Sequence, residues 1–228
     1  MNNPPSKIKL IVTGASGMVG EGVLHVCLQR EDVEAVLVVG RKPCGTVHPQ
    51  LKEIIHADFF DLSAIENQLA NYDACLFCLG VSSVGMKEEE YYKLTYTLTT
   101  HFAKRLVNQN PDMTFGYISG AATDSTEKGK LMWARVKGKT ENELMKIFKS
   151  TYNFRPGALE PIKGLKNTLS YYWYLGWLIP VIRLLAPNSI CKLEELGTAM
   201  VNSVTIGYEK QILEVKDIRS LAKRQFRA

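Results

Sequence analysis

At 228 residues the chain has room for one well-buried α/β domain but not for two. Its 46% hydrophobic and 22% charged residues are an ordinary globular composition and argue against disorder. The net charge of +5 suits a small polyanionic ligand, while the scatter of the Lys and Arg argues against a nucleic-acid surface. Five cysteines, an odd number without regular spacing, point to a reducing compartment, with the cytoplasm as default, and to no disulfide framework. No apolar signal core follows the polar lead-in at residues 1–6, so no secretory signal is expected.

In chain order, a strand is expected at 8–13, then a helix over 17–29 with Val19, Val23, Val26 and Cys27 on one face. A second strand at 35–39 stops at Gly40, and a short third strand covers 53–56. Asp61-Leu62-Ser63 opens a helix to about residue 69. The fourth strand, 74–79, contains Cys75-x-x-Cys78. Residues three apart on a strand face opposite sides, so the pair reads as core packing rather than as metal ligands. A long helix over 87–108 starts on Glu88-Glu89-Glu90, where carboxylates suit the helix dipole, and stops at Asn110-Pro111. A fifth strand at 113–119, a polar loop, a helix over 130–149 and a sixth strand at 152–155 follow. Past Pro156-Gly157 the chain turns apolar and aromatic across 171–185, then gives a helix over 192–205, a strand at 211–215 and a basic terminal helix. This alternation is that of βαβ units: an α/β fold with a doubly wound parallel sheet and helices on both faces.

Thr13-Gly14-Ala15-Ser16-Gly17-Met18-Val19-Gly20 falls at the first strand-to-helix turn, the context in which such a glycine pattern signifies a dinucleotide. Gly14 permits the tight turn, Gly17 lets the backbone approach a pyrophosphate, and Gly20 lets the helix pack on the sheet. The pyrophosphate then meets amides at a helix N-terminus, with Ala15, Ser16, Met18 and Val19 completing the loop. The fold class is thus Rossmann, one domain over 7–228. Its nucleotide-binding core runs to about 157, with a small substrate or cap segment after it. An NAD site places an acid at the end of the second strand. Val38-Val39-Gly40-Arg41-Lys42 has none, and its two bases favour NADP, with Arg41 pairing the 2′-phosphate or stacking on the adenine.

With these residues the chain resembles the short-chain dehydrogenase/reductase superfamily, in its atypical, epimerase-like branch. The resemblance rests on the glycine loop, Asp58, Leu79-Gly80, Val136-Lys137-Gly138-x-x-Glu141 and Phe154-Arg155-Pro156-Gly157. The last two look most like the Tat-interacting-protein-like reductases. It implies that Asp58 and Phe59 approach the adenine, that Leu79, Gly80 and Val81 line the path to the nicotinamide, and that Pro156, Gly157 and Ala158 lie beside that ring. The family's Tyr-x-x-x-Lys pair stands here as Trp133-Ala134-Arg135-Val136-Lys137. Lys137 is kept for the cofactor ribose, whereas an indole N–H has no useful acidity, so Trp133 cannot replace the phenol. Ser119 comes early for the superfamily's partner hydroxyl, so Thr123 and Ser125 are the stand-in candidates, along with a tyrosine from 171–174.

Two functions stay open on the sequence. One is an NADP-dependent oxidoreductase or epimerase-like enzyme on a small or lipophilic carbonyl substrate; the other is a non-catalytic NADP-binding regulator or interaction protein. The 171–185 segment is too short, and too interrupted by Pro180 and Arg183, to span a bilayer. It suits a substrate pocket first, a homodimer face second and an interfacial membrane contact last. His25, His48, His56 and His101 show no metal-ligand spacing, and no metal is expected.

Overall fold

The computed structural model describes residues 7–167 and 189–224. β1 (Ile8–Thr13), β2 (Val33–Gly40), β3 (Leu51–Ile55), β4 (Ala74–Phe77), β5 (Thr114–Ile118), β6 (Ser150–Arg155) and β9 (Ile212–Glu214) build one sheet in the order β3-β2-β1-β4-β5-β6-β9. Every pairing in it is parallel, with Thr13 opposite Val39 on one side and opposite Phe77 on the other. The doubly wound parallel architecture read from the sequence is therefore the fold of this protein. Strand order reverses at β1/β4, the switch point where the carboxyl ends of the strands part and open a crevice.

Two cores sandwich the sheet. Leu10, Val12, Leu76 and Phe154 point to one side, where α1 (Met18–Leu28) packs beside α5 (Leu193–Thr205). Ile11, Cys75, Phe77 and Phe115 point to the other, against α3 (Leu98–Gln109) and α4 (Met132–Ile147). Cys75 thus belongs to one core while Cys78, three residues on, packs against the other. Burial pushes both thiols up, so they behave as small apolar side chains.

Three elements differ from the sequence reading. Residues 61–69 make an Asx turn, with the Ser63 amide donating 3.0 Å to the Asp61 carboxylate, and only a four-residue 3₁₀ turn at Glu66–Leu69. Leu62, Ile65 and Leu69 reach the core from these turns without a full helix. The long helix begins as α2 (Glu88–Tyr92), passes through a π-helical turn at Lys93–Thr97 and continues as α3. The third difference is a two-stranded parallel sheet of β7 (Ala158–Glu160) and β8 (Ile190–Lys192), absent from the sequence reading because each strand is only three residues long. Residues 193–222 pack into the main fold: α5 covers α1, β9 extends the sheet, and α6 (Val215–Ala222) closes it. The aromatic segment 171–185 lies outside the described residues. Among those described, no helix is long and apolar enough to cross a membrane.

Candidate functional site

At the switch point lies a cleft of about 550 Å³, lined by Gly14, Ser16, Gly17, Met18, Val19, Gly20, Arg41, Cys78–Ser82, Ile118 and Lys137. Its floor is built by the glycine loop. Gly14 has φ +71°, and a Cβ there would meet the Cys78 carbonyl at 2.7 Å, so the turn is pressed onto the end of β4. The Leu79 amide donates to Thr13 Oγ1 at 3.2 Å and ties the two strand ends together. Gly17 is the N-cap of α1, and no side chain caps that helix. Among the described residues the amides of Met18, Val19 and Gly20 have no partner, and these residues line the cleft at the positive end of the helix dipole. Ala15 turns its methyl into the core, contributing only backbone to the loop.

A smaller hollow of about 120 Å³ adjoins the cleft, lined by Arg41, Ala57, Asp58, Phe59, Phe60, Leu79–Val81, Leu94 and Leu98. Asp58 Oδ1 accepts from the Phe60 amide at 2.8 Å, folding residues 58–60 into a shelf. Phe59 stacks on Phe102 with ring centroids 5.5 Å apart, which fixes that shelf to the core. Arg41 borders both spaces, and among the described residues it has no hydrogen-bond or ion-pair partner. Lys42 is exposed and lines neither.

On the far side of the switch point Lys137 reaches the cleft from α4, with Nζ donating to the Ser119 carbonyl oxygen. Burial pulls its pKa down to about 8, an effect the Glu141 carboxylate opposes. A loop cleft floored by backbone donors, a smaller hollow beside it and a cation at either end suit a dinucleotide. Sequence comparison agrees: a model of the NAD dependent epimerase/dehydratase family matches residues 10–126, just over half of the chain.

The chain belongs to that family. No curated protein matches it significantly. Solved structures share the fold at low identity. Helicobacter pylori ADP-L-glycero-D-manno-heptose-6-epimerase is 12% identical with TM-score 0.69, covering 98% of this chain and 82% of its own. A UDP-N-acetylglucosamine 4-epimerase from Methanobrevibacter ruminantium, in complex with UDP-N-acetylmuramic acid, is 13% identical with TM-score 0.65, covering 94% and 81%. The Bordetella bronchiseptica enzyme WbmF, in complex with NAD⁺, is 14% identical with TM-score 0.65, covering 94% and 77%.

Other residues singled out in this epimerase/dehydratase-family chain stand outside the cleft lining. The Ser119 hydroxyl donates 3.1 Å to the Phe154 carbonyl. Thr123 is buried and donates 2.7 Å to the Gly120 carbonyl; Ser125 Oγ accepts from Arg155 at 2.6 Å. Both hydroxyls are thus held by their own loop and by β6, and neither lines the cleft. Trp133 is half-buried one helical turn before Lys137 and also lines no part of it. The Pro156 carbonyl accepts from the Ala121 amide at 2.8 Å, Gly157 presses on the Ser189 backbone, and Ala158 opens β7. Cys78, Ser82 and Ile118 do line the cleft and were missed. Their one signal was position, at or just past the carboxyl ends of β4 and β5.

Proposed function

We propose that this epimerase/dehydratase-family protein binds NADP and is an oxidoreductase or epimerase-like enzyme acting on a small or lipophilic carbonyl compound. The observation that carries the reading is Arg41 and Lys137 at opposite sides of one cleft floored by the uncapped N-terminus of α1. The residues present fit the cofactor: the amides of Met18 and Val19 suit its pyrophosphate, and the hollow at Asp58 and Phe59 suits its adenine. Arg41 suits the 2′-phosphate, since an unpartnered guanidinium beside an acid-free strand end has no competing anion. When bound, NADPH supplies the hydride that reduces a carbonyl carbon. Lys137 takes two tasks, holding the ribose hydroxyls and carrying the proton for the reacting oxygen. Trp133 has no acidic group with which to share the second.

Fluorescence titration tests the reading. NADPH is expected to bind at least tenfold tighter than NADH, and Arg41→Ala to remove that preference without weakening NADH. Tighter NADH binding sinks it. Consumption of NADPH with a panel of carbonyl compounds, abolished in Lys137→Ala, tests the catalytic half. One specific feature favours a second reading, an NADP-binding regulator: Trp133 stands in the acid position while the Thr123 and Ser125 hydroxyls are both committed elsewhere. That reading expects no wild-type turnover and an unchanged NADPH affinity in Trp133→Tyr.

A further inference from the structure

Behind the cleft, α4, β5 and β6 close a ring of contacts around Lys137. Lys137 Nζ donates to the Ser119 carbonyl on the β5 side. Ser119 is held in turn by β6, because both its amide, at 2.9 Å, and its hydroxyl donate to the Phe154 carbonyl. The next residue, Arg155, returns the chain of contacts to α4. Its Nε donates 2.9 Å to Glu141 Oε1, and its Nη2 pairs with Glu141 Oε2 and with Ser125 Oγ. Glu141 lies one helical turn from Lys137 on the same face, and is fully buried. Gly138, between them, lets the Asp124 carbonyl press on the helix where any Cβ would sit 1.8 Å away. The Ser125 carbonyl accepts from Asn142 at 3.0 Å and locks the loop to the same helix.

We propose that the buried Glu141–Arg155 ion pair is a positioning device for Lys137, fixing the helical turn that carries the amine and supplying the anion against which its ammonium is balanced. This deepens the role given to Lys137 above and rests on that reading for its functional meaning. A buried ion pair is a costly way to stabilise a fold, since desolvation offsets most of its attraction, so its location beside a cleft cation calls for another use. The surrounding groups leave Glu141 in command. On β5 and α2, the phenols of Tyr117 and Tyr91 are kept neutral by burial, as is the Cys78 thiol past β4. Glu214 on β9 lies half-exposed, 3.3 Å from Arg155 Nη1, and Glu88 on α2 is taken by Arg135. Arg155 withdraws part of the Glu141 charge, and so keeps the amine's proton affinity from rising back to that of a free lysine.

The test uses the cofactor-free protein. Competitive acetylation with acetic anhydride from pH 6 to 10.5, read at Lys137 by peptide mass spectrometry, gives the midpoint at which the amine loses its proton. Glu141→Gln is expected to lower that midpoint by about one pH unit, and Arg155→Met to raise it by a similar amount. The double variant removes both charges, avoids an orphaned ion in the core, and is expected between the two. It keeps the comparison available if Arg155→Met alone does not fold, because its midpoint must then lie above that of Glu141→Gln. Midpoints that do not move, or single variants that move the same way, overturn the proposal. NADPH affinity measured in parallel separates the two readings. Opposed shifts in a protein that does not bind NADPH sink the cofactor assignment and leave the positioning role standing; binding without shifts does the reverse.

Discussion

A methyl group built on Gly20 would lie 2.1 Å from the Gly14 carbonyl oxygen, whereas one on Gly17 meets nothing closer than 3.6 Å. The two glycines therefore fail differently. Gly20→Ala forces the helix off the loop and is expected to cost about 3 kcal/mol in a urea or thermal melt. Gly17→Ala is expected to leave the melt within about a degree or two of wild type, yet, on the proposed function, to weaken NADPH binding at least tenfold by putting a methyl where the pyrophosphate would approach. A Gly17→Ala protein that binds normally would mean the cofactor does not sit on this turn. The steric demands at these glycines were legible in the sequence because each depends on a few neighbouring residues, and so was the lack of an acid beside Arg41 at its strand end. The Ser125 hydroxyl was not, because Arg155, thirty residues on, occupies it; nor was that of Thr123, because its bond to the nearby Gly120 carbonyl depends on how an irregular loop turns.

Between β5 and α4 the chain makes a strained passage. Ala122 and Glu127 both sit at positive φ, 64° and 61°, and the Asp124 carbonyl occupies the space over Gly138. A left-handed backbone costs a residue with a Cβ about 1 kcal/mol relative to glycine. Ala122→Gly is accordingly expected to stabilise the fold by up to that amount, and Gly138→Ala to destabilise it by about 3 kcal/mol through the clash. Denaturant midpoints for the two variants check both signs, and a neutral Gly138→Ala would show that the loop moves freely off α4. Elements of this kind mark where sequence patterning runs out. Strong periodicity placed α1, α4 and α5 to within a few residues. The π turn at Lys93–Thr97 carries no such signal, because it inserts one residue into an otherwise regular helix without altering its composition. β7 and β8 are three residues each, too short to show alternation.

At the scale of the whole molecule, one strand order puts two kinds of titratable group in opposite roles. Lys137 stands at the mouth of the switch-point crevice with its pKa pulled down to about 8 by burial. The thiols of Cys27 and Cys191 sit in the core around α1, β8 and α5, pushed up to about 12 by burial, with Cys75 raised on the other face of the sheet. If the ammonium form of Lys137 holds the cofactor ribose, NADPH affinity falls as pH rises through about 8, approaching tenfold per pH unit beyond it. Stability of the free protein follows the thiols instead. Each keeps its proton when folded and loses it near its ordinary 9.0 when unfolded, so the unfolded chain binds fewer protons there. By that sign the thiol contribution is fully present below about 9 and is lost progressively toward about 12. Lys137 acts the other way between about 8 and its ordinary 10.5, being the proton that folding expels, but it is one group set against several thiols. Affinity is thus expected to decline a full pH unit before the melting temperature does. Lys137→Met separates the two effects, flattening the pH dependence of NADPH binding between pH 7 and 9 while leaving the loss of thermal stability above pH 9 in place. If instead the binding profile keeps its midpoint near 8 in Lys137→Met, another group in the cleft carries the proton, and Lys137 loses its place in the site.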